Sequence, residues 1–292
     1  MRKLLVIAAA LLALASCTEK KVEKEMSIQL YSFRQLIGRP ELYQQNHEAV
    51  FKAIKEYGYT SVEAASYSNG LFYGVSPEQY KADVEAAGLK SFSSHTNRNL
   101  TKEELETGDL TAAIEWWKEA IPAHKAAGMS VVVIPSMRRP TSLAELKVFC
   151  NYLNEVGKLF TAEGMLFGYH SHSFEFEKLE DQVVYDFMLE NTDPQYVFFQ
   201  MDVYWAVIGK VSPVFYFNKY PGRFKVLHIK DWKEIGQSGM VGFDAIFKNF
   251  DVAGTKAYVV EMEASSYNDM YRTARESAEY LYANDFVKPS YE

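Results

Sequence analysis

From Met26 onward the chain alternates between short apolar runs and longer stretches whose apolar residues recur every three or four positions. The short runs are rich in β-branched and aromatic residues and read as strands, while the longer stretches read as amphipathic helices. Strands are predicted near 26–33 (MSIQLYSF), 59–65 (YTSVEAA), 89–96 (LKSFSSHT), 129–135 (MSVVVIP), 165–171 (MLFGYHS), 196–202 (YVFFQMD), 224–230 (FKVLHIK) and 256–263 (KAYVVEME). Helices are predicted at 45–57, 76–87, 109–127, 141–163, 181–191 and 267–283. Ser76-Pro77 and the stretch from Thr141 to Glu145 place a cap residue ahead of a helical run. Gly58, Gly88, Gly128 and Gly164 stand where four helices should stop, since glycine takes the left-handed conformation that ends a helix. Pro122 falls inside the third helix and should kink it.

Strand signals that alternate with helices at roughly one unit per 30 residues argue for parallel βαβ units, and eight of them argue for closure into a (β/α)₈ TIM barrel. An open doubly wound sheet is the alternative, but the segment after Ser32 (FRQLIGRPELY) lacks a glycine-rich phosphate loop and reads as a long connection. No linker or break in composition follows residue 26, so residues 26–292 are expected to form one domain.

The first 25 residues stand apart. Arg2 and Lys3 precede an apolar run from Leu4 to Ala15, too short to span a bilayer and of the length of a signal-peptide core. The run ends in Leu14-Ala15-Ser16-Cys17, which resembles the lipobox of bacterial lipoproteins. Residues 1–16 are therefore expected to be a signal peptide, Cys17 a lipidation site, and residues 17–25 a charged tether. The expected location is outside the cytoplasmic membrane, on its periplasmic side or at the cell surface, held by the lipid alone. Cys150 would be left as a lone thiol with no disulfide to form. The formal charge is −7, and losing Arg2 and Lys3 leaves −9. With no basic stripe, a nucleic-acid surface is disfavoured.

Polar residues collect at the carboxyl ends of the predicted strands, where TIM barrels place their chemistry. Gln29 and Tyr31 close the first, Glu63 the second, His95 the third and His170 with His172 the fifth. Asp202 closes the sixth, His228 and Lys230 the seventh, Glu261 and Glu263 the eighth. Each alone is compatible with a solvated strand end. Together they are not, because four of the six histidines lie at strand ends, while only His47 and His124 lie on predicted helices and read as surface residues. His170 and His172 share a strand face, as residues two apart do. Imidazoles and carboxylates converging from different strands are the ligand set of one divalent ion such as Mn²⁺, Zn²⁺, Co²⁺ or Mg²⁺, which would polarise a carbonyl or hydroxyl and stabilise an enediolate.

At these residues the chain resembles the xylose-isomerase-like TIM-barrel superfamily of sugar phosphate isomerases and epimerases. The resemblance spans nearly all of residues 26–286 and is carried by SIQLYSFR, FGYHSHSFEF, FFQMDVYWAV, VLHIKD and VVEME. It implies one divalent metal held by a Glu on strand 5, an Asp on strand 6, a His on strand 7 and a Glu on strand 8. By position these become Asp202, His228 and Glu261, with Glu263 on the same face as the alternative. Strand 5 departs from the pattern: it carries no Glu, and His170 is expected in the ligand place, with His172 as the alternative. His172, Glu175, Lys230 and Glu263 are the candidate catalytic groups, and Glu63, His95, Tyr31 and Trp205 the candidate substrate contacts.

The departure matters chemically. Epimerases of this family remove and return a proton with two metal-bound glutamates, and a metal-bound imidazole cannot also shuttle one. A lyase, dehydratase or keto-glycoside-cleaving reaction is therefore expected alongside isomerase or epimerase chemistry. An exported protein meets few phosphorylated sugars, so a free, oxidised or glycosidic sugar is the expected partner. A nuclease of the same superfamily would need more ligands and a basic surface. A sugar-binding lipoprotein without catalysis should purify without metal. Tyr31, Phe33, Tyr67, Phe72, Tyr73, Tyr204, Trp205 and Trp232 are aromatic residues near strand ends, suited to sugar rings or to the core.

Overall fold

A computed structural model describes residues 23–291. The signal peptide, Cys17 and most of the tether lie outside these residues. Eight parallel strands form one sheet: β1 (Ser27–Gln29), β2 (Ser61–Ala64), β3 (Lys90–His95), β4 (Val131–Ile134), β5 (Leu166–His170), β6 (Phe198–Gln200), β7 (Val226–Lys230) and β8 (Ala257–Glu261). Hydrogen bonding runs in the order β6-β5-β4-β3-β2-β1-β8-β7. A parallel bridge between Asp202 and His228 and the bond from His228 N to Met201 O (3.0 Å) draw the two end strands together. The result is a nearly closed single-domain (β/α)₈ TIM barrel, as the alternation of elements predicts.

The principal helices are α1 (Pro40–Glu56), α2 (Pro77–Ala86), α3 (Thr111–Ala126), α4 (Leu143–Ala162), α5 (Val184–Asn191), α6 (Pro213–Lys219), α7 (Phe243–Lys248) and α8 (Met270–Ala283). Ser76 caps α2 by accepting from Gln79 N (3.2 Å), and Ser142 caps α4 by accepting from Glu145 N (3.2 Å). Gly58 ends the turn after α1 at φ 98°, a conformation open to glycine at little cost.

Three expectations are corrected. The first strand stops at Gln29, because the Gln29 side chain accepts from Tyr31 N (3.0 Å) and turns Leu30–Phe33 into a 3₁₀ helix. The connection after Ser32 is largely helical, with a short helix at Arg34–Ile37 and α1 already starting at Pro40, whose fixed φ suits a first helical turn. His124 is no surface residue: it is fully buried on α3, its Nε2 2.7 Å from Thr96 Oγ1 and its Nδ1 2.8 Å from Ala120 O. Burial pushes its imidazole down to about 4. His47 is half-buried against the Tyr43 ring. α3 runs on through Pro122 to Ala126.

The barrel interior has two layers. Val131, Val133, Phe198, Val226 and Val259, with Phe92 against them, form an apolar floor. Gly168 belongs to this floor by necessity, because a Cβ there would lie 2.7 Å from the Phe198 ring. Above it the register changes the chemistry. Gln29 pairs with Glu63, Gln200 with His170 and Lys230 with Glu261, all at the carboxyl ends of their strands. A slip between Val62 and Glu63 sets Ser93 beside Glu63. Parallel pairing in register thus stacks the polar strand ends into one rim.

Candidate metal centre

At the centre of that rim His170 of β5, Asp202 just after β6, His228 of β7 and Glu261 of β8 each offer a ligand atom, all within 4.8 Å of one another. All four residues are buried. His95 of β3 forms a second such group with His170 and His228. Of the alternatives left open by the sequence, the cluster contains His170 and Glu261, while His172 and Glu263 stand one step further out.

Each side chain is held by a partner behind it. Asp202 caps the short helix Val203–Ile208, with Oδ1 accepting from Trp205 N (2.9 Å), while its Oδ2 is buried without a partner. His228 Nε2 lies 2.7 Å from Glu63 Oε1; its Nδ1, also buried without a hydrogen bond, lies 3.4 Å from Glu261 Oε2. His170 Nδ1 lies 3.2 Å from Gln200 Oε1. Two orphaned buried polar atoms on residues of one cluster are rare in folded proteins and ask for a missing partner. Two imidazoles and two carboxylates around them fit a divalent ion, with coordination places left for substrate oxygen.

The electrostatics agree. Burial pushes the Asp202 carboxyl up to about 7 and the His170 imidazole well below its usual range. Burial also opposes the charged forms of Glu63, Glu261 and His228, but here the neighbours prevail. His95 and His228 hold the Glu63 carboxyl low, Lys230 and His228 do the same for Glu261, and Glu63 with Glu261 raises the His228 imidazole. A proton on His228 thus compensates the excess acid where a divalent cation would otherwise do so.

The remaining predicted residues fall in three places. A cavity of about 490 Å³ opens above the cluster, and His95, His172, Glu263 and Tyr31 line it with His170 and Glu261. His172 is half-buried, carries an unpartnered Nδ1 and is pushed down to about 4 by burial. Lys230 Nζ lies 3.1 Å from Glu261 Oε2 and 2.9 Å from Glu263 Oε1, over the Trp205 ring at 5.2 Å, and these carboxylates raise it despite its burial. Glu63 and Glu175 lie elsewhere. Glu63 is fully buried beneath the cluster, so the expected substrate contact is replaced by bonds to protein. Glu175 is buried behind β5, accepting from Tyr169 OH (2.7 Å) and His172 N (2.9 Å); it holds the His172 backbone and is absent from the cavity lining. Phe33, Phe72, Tyr73 and Tyr204 are core residues, while Tyr31 and Trp232 are exposed.

Sequence reasoning passed over Gln200 and Ser93 as site residues. Gln200 joins His95, His170 and Glu63; its place two residues before Asp202 on a strand was the available signal. Nothing in the local sequence marks Ser93. A second cavity of about 410 Å³, at the amino end of the barrel among Ser27, Lys90 and Lys256, contains no histidine.

Fold and cluster together define a parallel (β/α)₈ barrel with a candidate metal centre at its carboxyl rim. Residues 51–284 match the model of the Xylose isomerase-like TIM barrel family, and the chain belongs to that family. A sugar phosphate isomerase/epimerase from Parabacteroides distasonis is similar over its length: 34% identity, TM-score 0.83, covering 93% of this chain and 98% of that one. An L-ribulose 3-epimerase shares the fold at 14% identity and TM-score 0.66, over 88% of this chain and 93% of that one. An inosose dehydratase from Clostridium beijerinckii is 31% identical over 87 residues, which are 30% of this chain and 28% of that protein's length.

Proposed function

We propose that the chain is a divalent-metal-dependent enzyme of the isomerase/epimerase-like class that acts on a free, oxidised or glycosidic sugar by abstracting a proton next to a carbonyl. The observation that carries this reading is the convergence of His170, Asp202, His228 and Glu261, with two orphaned ligand atoms, beneath an open cavity. A bound divalent ion would supply polarisation of the substrate carbonyl. Two imidazoles among the donors favour Zn²⁺, Co²⁺ or Mn²⁺ over Mg²⁺.

The chain's own groups divide the remaining work. His172 offers a neutral imidazole nitrogen with no protein partner, suited to accept a proton. Lys230, kept protonated between Glu261 and Glu263, is our candidate donor to substrate oxygen. Tyr31, exposed at the cavity rim, is the aromatic side chain suited to contact a sugar. Glu175 fixes His172 through its backbone.

A lyase is the second reading, favoured by His170 in place of a strand-5 glutamate: without the second metal-bound glutamate of an epimerase pair, one base and one acid remain, which suffices for elimination. Metal analysis of purified protein tests the common premise, followed by screening against free and 3-keto sugars. A stoichiometric transition metal and turnover are expected; protein that purifies without metal and takes none up would overturn the reading. Solvent deuterium entering an intact sugar would mark epimerisation, and an unsaturated product would mark the lyase.

A further inference from the structure

Glu63 is a fully buried carboxylate outside the ligand cluster, and the proposed chemistry gives it no step. Yet donors crowd it. Oε1 is 2.7 Å from Gln29 Nε2, 2.7 Å from His228 Nε2 and 3.1 Å from His95 Nε2; Oε2 is 2.6 Å from Ser93 Oγ and 3.1 Å from Gln200 Nε2. A buried charge is tolerated only when so matched, and an apolar side chain of like size would pack the position at no such cost.

An ionised carboxylate accepts and cannot donate. That one-way character propagates. The Gln200 amide must turn its NH₂ toward Glu63, so its Oε1 faces His95 Nε2 at 2.7 Å and His170 Nδ1 at 3.2 Å and can only accept from them. His170 then carries its proton on Nδ1 and leaves Nε2 bare. His228 gives its Nε2–H to Glu63 and keeps Nδ1 for the cluster.

We infer that Glu63 is a positioning residue that sets the hydrogen-bond direction of the whole rim, so that both histidines present a bare nitrogen to one metal ion. The inference rests on the proposed metal centre, but its reach into the His170 tautomer does not need the ion. Groups that orient a ligating imidazole from behind are worth about 10–100-fold in metal affinity.

The test is Glu63→Gln, equal in shape but able to donate, measured without substrate. Zn²⁺ titration by calorimetry should show affinity about 10–100-fold below wild type. In ¹⁵N spectra of the metal-free protein at pH 8, the His170 ring should be the Nδ1–H tautomer in wild type and lose that preference in the variant. Should Glu63→Gln fail to fold, Gln200→Met breaks the relay and should release the His170 tautomer alike. Wild-type Zn²⁺ affinity in a folded Glu63→Gln protein, or a His170 tautomer that neither substitution shifts, would overturn the inference. A wild-type protein that binds no divalent ion but shows the predicted His170 tautomer would instead overturn the proposed function and leave the role of Glu63 standing.

Discussion

His228 meets two carboxylates with its two nitrogens, Glu63 behind and Glu261 in front, so removing it empties both sides of the site. His228→Ala is expected to lose metal and activity together, checked by metal content and turnover on the same sample. His172→Ala should lower kcat by about 10²–10⁴ while metal content stays unchanged, because the ring lies outside the cluster. Metal loss in His172→Ala would exchange its role with that of His170. His124 gives a pH prediction. Its folded value of about 4 lies below that of an unfolded chain, so between pH 6.5 and 4 the unfolded state binds more protons and stability falls as pH falls. The contribution is about 3 kcal/mol, and His124→Gln should lose correspondingly less stability between pH 7 and 4 in urea melts. Identical pH profiles would remove this account. His124 was misread because helical spacing cannot reveal a partner, and Thr96 lies just past β3, 28 residues away. Gln200 was passed over for the same reason: its three partners come from three other strands.

The strands and long helices were legible because each carries several periods of its own pattern. Val203–Ile208, at 6 residues, carries less than two turns and gave no signal, although it aims Asp202 at the cluster. Strand ends were less legible than strand centres: LYSF continues the apolar run of β1, but a side chain two residues back bends it away. The loops of the rim follow a rule that the local sequence does not state. Asp231, directly after β7, accepts from Trp232 N, Gly236 N and Ser238 N, and Glu234 accepts from Ser266 and Thr273 across the next connection. Gly168 shows how closely the floor is fitted. Gly168→Ala should cost about 1–3 kcal/mol as Phe198 is forced aside, seen as a lower urea midpoint. Unchanged stability would mean that the ring yields freely.

At the scale of the molecule, an apolar floor under a polar rim makes the barrel work from one end, and the eight repeating units made that architecture readable before any contact was known. The other end takes the chain in. Lys24 Nζ bonds the carbonyls of Leu281, Tyr282 and Asn284 at the carboxyl end of α8, and Glu25 N donates to Pro289 O (2.8 Å). We propose that Cys17 carries a lipid: Cys17→Ser should then partition with soluble protein, and unchanged membrane association would refute the anchor.

The place where Lys24 is tied down has a consequence for traffic. Cys17 stands six positions before Glu23, and six steps of chain reach at most about 20 Å even fully drawn out. An anchored molecule would therefore stand on its floor with its working end pointed away from the bilayer, like a cup set upright on a table. Whatever enters the rim would then come from the surrounding fluid rather than from the lipid surface beneath it.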